Sequence, residues 1–271
     1  MDDEHSEVKS PRDGVDARVP RGRFSSTSVD YRIWMVAVVT ATMAYSLLTA
    51  PQDKFRPGTP SLPAVVGFVV LAVIFGVLLL AIAWTFDVSM SQVLRWLGFC
   101  RPRGVRNWWQ LVLVLLGAIA IGVVIRKEIV PLIGDLWPGL KVQTPAQLAA
   151  DAERDVMMGA PSWMVWAHAA GEEVVFRCVV VAATVWAFGD GPLRWREVQA
   201  KRLAGLVAVV LASSVAFAFA HAEFSWYNAA AAGAMGLVCA VLAVVMRSVW
   251  PSVVVHAAYN TPAIAMLSRL W

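Results

Sequence analysis

From residue 31 onward the chain is a succession of long apolar stretches separated by short polar blocks. A bilayer core about 30 Å thick is crossed by about 20 apolar residues in helix. Seven stretches meet that description, at roughly 31–50, 62–86, 108–125, 162–188, 203–222, 226–246 and 250–268. Several carry aromatic residues at their ends, where a membrane–water interface holds them: Tyr31, Trp34, Trp108, Trp109, Trp163, Trp226 and Trp250. The pattern predicts an all-α, polytopic transmembrane helix bundle of about seven spans, or eight if a re-entrant or surface helix is added. No strong internal repeat stands out.

Residues 1–30 break the pattern. MDDEHSEVKSPRDGVDARVPRGRFSSTSVD is polar, mixed in charge and poor in large apolar residues. Such a segment buries too little surface to offset the entropy of ordering it, so it reads as a disordered tail. It lacks the apolar centre of a signal peptide. The expected division is therefore a tail over 1–30 and a membrane domain over 31–271.

Composition agrees: 59% of the 271 residues are hydrophobic and 15% charged, whereas soluble domains are about 45–50% apolar and about 25% charged. The net charge of +4 reads as membrane topology. With the N-terminus inside, fifteen of the 23 Lys and Arg fall on inside segments and seven outside, leaving Arg177 within a span. That bias favours a cytoplasmic N-terminus, and the Ala/Val/Arg bias points to a bacterial cell membrane. No basic platform interleaved with aromatics suggests nucleic acid. Cys100, Cys178 and Cys239 are far apart and in or beside apolar segments, as small buried hydrophobes are. The one long connection, 126–160, contains Thr144, Pro145 and Gln147 as N-cap, first-turn proline and N3 glutamine. It predicts a short surface helix, in the position of a lid.

Ionisable groups inside the apolar stretches are few. "AAGEEVVFRCVV", 169–180, holds Glu172, Glu173 and Arg177. His168, His221 and His256 lie in or at the end of predicted spans. A charge at mid-membrane costs at least about 2.5–3.5 kcal/mol, so such residues face the bundle interior, pair, and mark function. Glu173 and Arg177 are four apart and share a helix face. Glu172 lies about 100° round the helix, with His168 four residues before it. One glutamate thus has a cation in its own helix and the other does not. A desolvated carboxylate without a cation becomes more basic, which suits a general base. His256 and Asn260 are also four apart, and an imidazole and an amide on one face can donate to a developing oxyanion. Counting along the spans, however, sets Glu172 about 15 Å deep, His221 near the outer end and His256 about 9 Å from the inner end. The expected spans do not by themselves bring these groups to one depth.

EExxxR (Glu172, Glu173, Arg177), FxxxH (Phe217, His221) and HxxxN (His256, Asn260) together resemble the CPBP family, the CAAX proteases and bacteriocin-processing proteins also called Abi or type II CAAX endopeptidases. "SVWPSVVVHAAYNT" is similar to the family's approach to its last motif. The resemblance covers about 160–265, the expected catalytic core. It implies an intramembrane endopeptidase acting on a membrane-associated or hydrophobic peptide. Glu172 and His221 would activate a water, Glu173 and Arg177 would support the site, and His256 and Asn260 would form the oxyanion hole. His168 lies outside the family pattern and is expected to serve as support. A metal-free site is favoured, since HExxH is absent and Arg177 would put a cation near any metal. Zinc is the alternative, with Glu172, Glu173, His221 and His256 as ligands. The expected partners are a peptide or membrane-protein substrate and membrane lipid. Competing readings are a non-catalytic scaffold or partner-binding protein, and a proton-coupled transporter.

Overall fold

The computed structural model describes residues 26–48, 62–150, 162–189 and 193–261. Among these, the regular structure is helical throughout and contains no strand. Helices α1 (Ser26–Leu48), α2 (Leu62–Thr85), α3 (Met90–Leu97) and α4 (Trp108–Val124) are followed by a π turn (Ile125–Ile129) that runs straight into α5 (Val130–Leu136). A 3-10 turn (Pro138–Lys141) leads to a helical segment at 145–150. The second half contains α6 (Ser162–Phe188), α7 (Ala200–Phe219), α8 (Trp226–Met246) and α9 (Trp250–Asn260).

A helix lies at each of the seven predicted stretches, because in long apolar runs only the helix satisfies its own backbone groups. Their extents differ from expectation. Helix α1 starts at Ser26, five residues before the span expected from 31. Asp30 is held there by Arg202 of α7, Nη2 to Oδ2 at 3.2 Å; residues 1–25 lie outside the described residues. The span expected to end at 125 continues through the charged Arg126, Lys127 and Glu128, which a loop reading would exclude from helix. The last predicted span is helical to Asn260, and its remainder, from 262, lies outside the described residues.

Three helical stretches among the described residues are long and apolar enough to cross a membrane: Trp108–Leu136, Ala200–Phe219 and Trp226–Met246. A fourth arises if Val73–Thr85 and Met90–Leu97, bent by 112°, form one broken span. The count of seven is thus not established. Helix α6 does not meet the criterion, because every 18-residue window of its 27 residues contains Glu172, Glu173 and Arg177. The outer surface is apolar, with Leu113, Leu116, Val207, Leu211, Val215 and Val241 exposed. Buried residues form two clusters. One joins α1, α2, α3 and α6 around Ile33, Leu97, Val180 and Val181, and the other joins α4, α7, α8 and α9 around Ala118, Phe217, Met235 and Val255. Alanines such as Ala182, Ala183, Ala232, Ala240 and Ala243 allow close helix approach.

Two registers determine where the ionisable residues meet. Helices α6 and α7 are antiparallel. Arg177 Nη1 donates to Ser213 Oγ at 2.8 Å, and Arg202 Nη1 to the Trp186 carbonyl at 2.8 Å. Carried forward, that register sets the end of α7 level with Gly171, and α6 runs on for about nine residues, about 13 Å. The turn after α7, with His221, is therefore at the depth of the glutamates. Helix α9 does not start at the end of the bundle either. Gly98, the left-handed C-cap of α3 (φ 81°), sits between Val181 of α6 and Val249. A Cβ there would lie 2.9 Å from Val181 Cγ2 and 3.2 Å from Val249 N, which itself donates to the Gly98 carbonyl at 3.0 Å. Seven residues along α9 from Val249 reach His256, and eight back along α6 from Val181 reach Glu173. Unequal helix ends thus remove the depth conflict that equal spans create.

Candidate active site

The two glutamates of α6 have different surroundings. Glu173 is fully buried. Its Oε2 accepts from Arg177 Nε at 2.9 Å, the i,i+4 pair expected from spacing, and its Oε1 lies 3.0 Å from His256 Nδ1. Arg177 is fully buried as well and is steadied by Ser213, whose hydroxyl donates to the Phe176 carbonyl at 2.7 Å. The guanidinium lies 5.2 Å from the centre of the Phe217 ring.

Glu172 has no cation in its own helix, as expected, but it is not alone. Three imidazoles turn their Nε2 atoms toward its carboxylate: His168 at 3.2 Å and His221 at 4.0 Å from Oε1, and His256 at 3.3 Å from Oε2. The picture of an uncompensated carboxylate is therefore corrected: His168 of its own helix, His221 in the turn after α7 and His256 of α9 all reach it. Its side chain retains 17% exposure, against none for Glu173.

Hydrogen-bond capacity fixes several protons. His221 Nδ1 lies 2.9 Å from the Phe217 carbonyl, which can only accept, so Nδ1 carries the hydrogen. In the neutral ring Nε2 then offers a lone pair toward Glu172. At 4.0 Å the two groups do not touch but can share one small molecule between them. His256 Nδ1 faces a carboxylate oxygen, so it too is the protonated nitrogen. A bare Nε2 lone pair against an ionised Glu172 oxygen would repel, so a proton lies between Nε2 and Oε2. With that shared proton counted, the two carboxylates, the guanidinium and the imidazole sum to zero charge, the balance that burial demands. Phe217 braces the set, its ring 4.6 Å from that of His221, 5.5 Å from His256 and 5.1 Å, edge-on, from Phe176.

Backbone packing holds α9 in place. Gly122 of α4 lies where a Cβ would be 2.6 Å from the Val255 carbonyl. One turn on, within the π turn, Arg126 Nη1 donates to the Tyr259 carbonyl at 2.5 Å. Asn260 is the last residue of α9, one turn beyond His256. The predicted lid is helical at 145–150, with Thr144 and Gln147 capping each other: Gln147 N to Thr144 Oγ1 is 3.3 Å and Thr144 N to Gln147 Oε1 is 3.0 Å. It is tied to the loop that carries His221, since Gln147 Nε2 donates to the Ala222 carbonyl (3.1 Å) and Gln143 Nε2 to the Phe224 carbonyl (2.9 Å). The rest of that lid, 151–161, lies outside the described residues.

The predicted residues Glu172, Glu173, Arg177, His221 and His256 thus come together, and His168 joins them at contact distance. Ser213, Gln143 and Gln147 escape a reading that counts ionisable groups only. The paired hydroxyls at 213–214 inside an otherwise apolar helix are the signal that marks the first. As a metal centre the set fits poorly. Both Glu173 oxygens already accept from Arg177 and His256, and among the described residues no group of three or more His, Cys, Asp or Glu is arranged to hold a metal ion. Cys178 and Cys239 are buried, as expected for small apolar residues.

Residues 158–262 match a family model described as "Type II CAAX prenyl endopeptidase Rce1-like". The match supports membership of the CPBP family. It takes in α6 to α9 and every residue placed around Glu172, and leaves α1 to α5 outside. The Rce1-like family is a family of proteases, and with the apolar helices it supports an integral membrane protein. Neither a curated protein nor a solved structure matches the chain.

Proposed function

We propose that the protein is an intramembrane endopeptidase of the CAAX type that hydrolyses a peptide bond in a membrane-associated or hydrophobic peptide. The observation that carries the reading is the gap between Glu172 Oε1 and His221 Nε2. A carboxylate and an imidazole lone pair face each other at a distance that one water spans. The water's O–H bond breaks as its oxygen attacks the carbonyl carbon, and the proton passes to Glu172. That transfer removes the charge of Glu172, and its Oε2 becomes a weak acceptor. The Nε2–H of His256 is then released from Oε2 to donate, with Asn260, to the oxyanion. Glu173 keeps His256 oriented from Nδ1, and Arg177 keeps Glu173 ionised. When the C–N bond breaks, Glu172 returns the proton to the leaving amine. No step needs a metal. We assign the protein to a bacterial cell membrane on its Ala/Val/Arg bias, with its N-terminus in the cytoplasm on the distribution of Lys and Arg.

The test is cleavage, by purified protein in detergent, of a panel of quenched fluorescent peptides. One carries a farnesylated cysteine three residues from its end, and the others have unmodified hydrophobic tails. Wild type cleaves at least one, with or without a strong chelator. Glu172→Gln and His256→Ala each lower kcat by at least about a hundredfold while the protein stays folded. Full activity of Glu172→Gln refutes the reading, and activity abolished by chelator transfers these side chains to the role of ligands.

A further inference from the structure

We propose that His168 is the proton relay between Glu172 and the aqueous phase, a role that rests on the peptidase reading and names the group that completes its turnover. Of the three imidazoles around Glu172, His256 is 1% exposed and committed to two carboxylates, and His221 is 18% exposed with Nδ1 committed to a carbonyl. His168 is 45% exposed, and its Nε2 lies 3.2 Å from Glu172 Oε1. No hydrogen bond to its Nδ1 is formed among the described residues. It is also on the part of α6 that runs past the end of α7, one turn from Glu172 on the open side. A half-exposed ion pair contributes about 0–1 kcal/mol, so stability alone gives little reason for an imidazole there. Its position links the partly exposed carboxylate of the site to exposed atoms.

Peptide hydrolysis leaves a carboxylic acid that must lose a proton after the amine has departed. Glu172 collects that proton at Oε1. While Glu172 is protonated, His168 in its Nδ1–H tautomer accepts the proton at Nε2 and releases its other proton from Nδ1 to water, which leaves Nε2–H facing the ionised Oε1; the ring changes tautomer again when Glu172 next takes up a proton. No bond other than O–H and N–H is made or broken, and no other reactant is needed. His168 acts through Glu172 and does not touch the peptide.

The experiment measures kcat and KM of wild type, His168→Ala, His168→Gln and Glu172→Gln on the peptide panel, with imidazole added in steps. His168→Ala is expected to retain its fold by thermal melting, to keep KM within about twofold and to lose about tenfold or more in kcat. Free imidazole reaches the vacated half-exposed position and restores much of that loss in His168→Ala, with no effect on Glu172→Gln. His168→Gln keeps a donor to Oε1 but carries no proton onward, and stays as slow as the alanine variant. The relay is overturned if His168→Ala turns over at the wild-type rate, if imidazole leaves its rate unchanged, or if His168→Gln restores it. An active Glu172→Gln, or a wild type that cleaves no peptide, overturns the peptidase reading and the relay with it. An inactive Glu172→Gln beside a fully active His168→Ala overturns the relay alone.

Discussion

Replacing Arg177 by methionine tests the charge balance of the site more directly than any catalytic assay. Arg177 and Glu173 both have no exposed surface, and they meet at 2.9 Å. With Arg177 present, Glu172, Glu173, Arg177 and His256 sum to zero. Methionine fills similar space and leaves a net charge of −1 on a site whose Glu173 is fully buried. Removing one partner of a buried ion pair costs about 3–5 kcal/mol. Ser213 loses its donor, and Phe217 its guanidinium neighbour 5.2 Å from the ring centre. Glu173→Gln in the same chain restores neutrality and keeps an oxygen for His256 Nδ1. The double variant should regain most of the lost stability, about 2–4 kcal/mol, although not activity. Unfolding in mixed micelles, followed by tryptophan fluorescence, gives all four corners of the cycle. An Arg177→Met protein as stable as wild type, or a double variant no better than Arg177→Met, would refute the neutrality argument.

Two further substitutions probe the frame around the site. Gly122→Ala puts a Cβ 2.6 Å from the Val255 carbonyl and 3.1 Å from Ala258 Cβ; it should push α4 and α9 apart, lower stability by about 1–3 kcal/mol and reduce kcat because α9 carries His256, as melting and turnover together would record. Gln147→Ala removes the donor to the Ala222 carbonyl next to His221. It should cost about 0.5–1.5 kcal/mol yet slow cleavage more than that figure implies, and an unchanged rate would show that the 145–150 segment does not steady His221.

The positions of the helices are legible in the sequence because apolar length alone forces a helix in a bilayer, and the pairing of Glu173 with Arg177 follows from i,i+4 spacing within one element. Helix ends are another matter. Arg126, Lys127 and Glu128 look like a loop, yet a π turn keeps them helical and sends Arg126 to the Tyr259 carbonyl. The meeting of His168, four residues away in the same helix, with His221 and His256 around Glu172 is equally hidden. These imidazoles come from three elements whose relative depth depends on α7 ending early and α9 starting late, and those offsets are set by Gly98, Ser213 and Arg202 acting between helices. Periodicity within one helix carries no information about such contacts. Ser213 shows the same limit, since a hydroxyl in an apolar run is read as helix surface until a guanidinium is seen above it.

The three ionisable residues of α6 bear on how the protein is made. The helix that carries the site is the one least suited to enter a bilayer by itself. Each of the three groups would cost at least about 2.5–3.5 kcal/mol in isolation, and before another helix arrives Glu173 has Arg177 while Glu172 has only the half-exposed His168. Glu172 finds its other two imidazoles after the end of α7 and in α9, which are synthesised later. Helix α6 therefore has to be retained at the insertion machinery, or at the membrane surface, until the last helices emerge. Biogenesis of this protein is cooperative across its C-terminal half, and truncation before α9 should leave α6 unstably inserted.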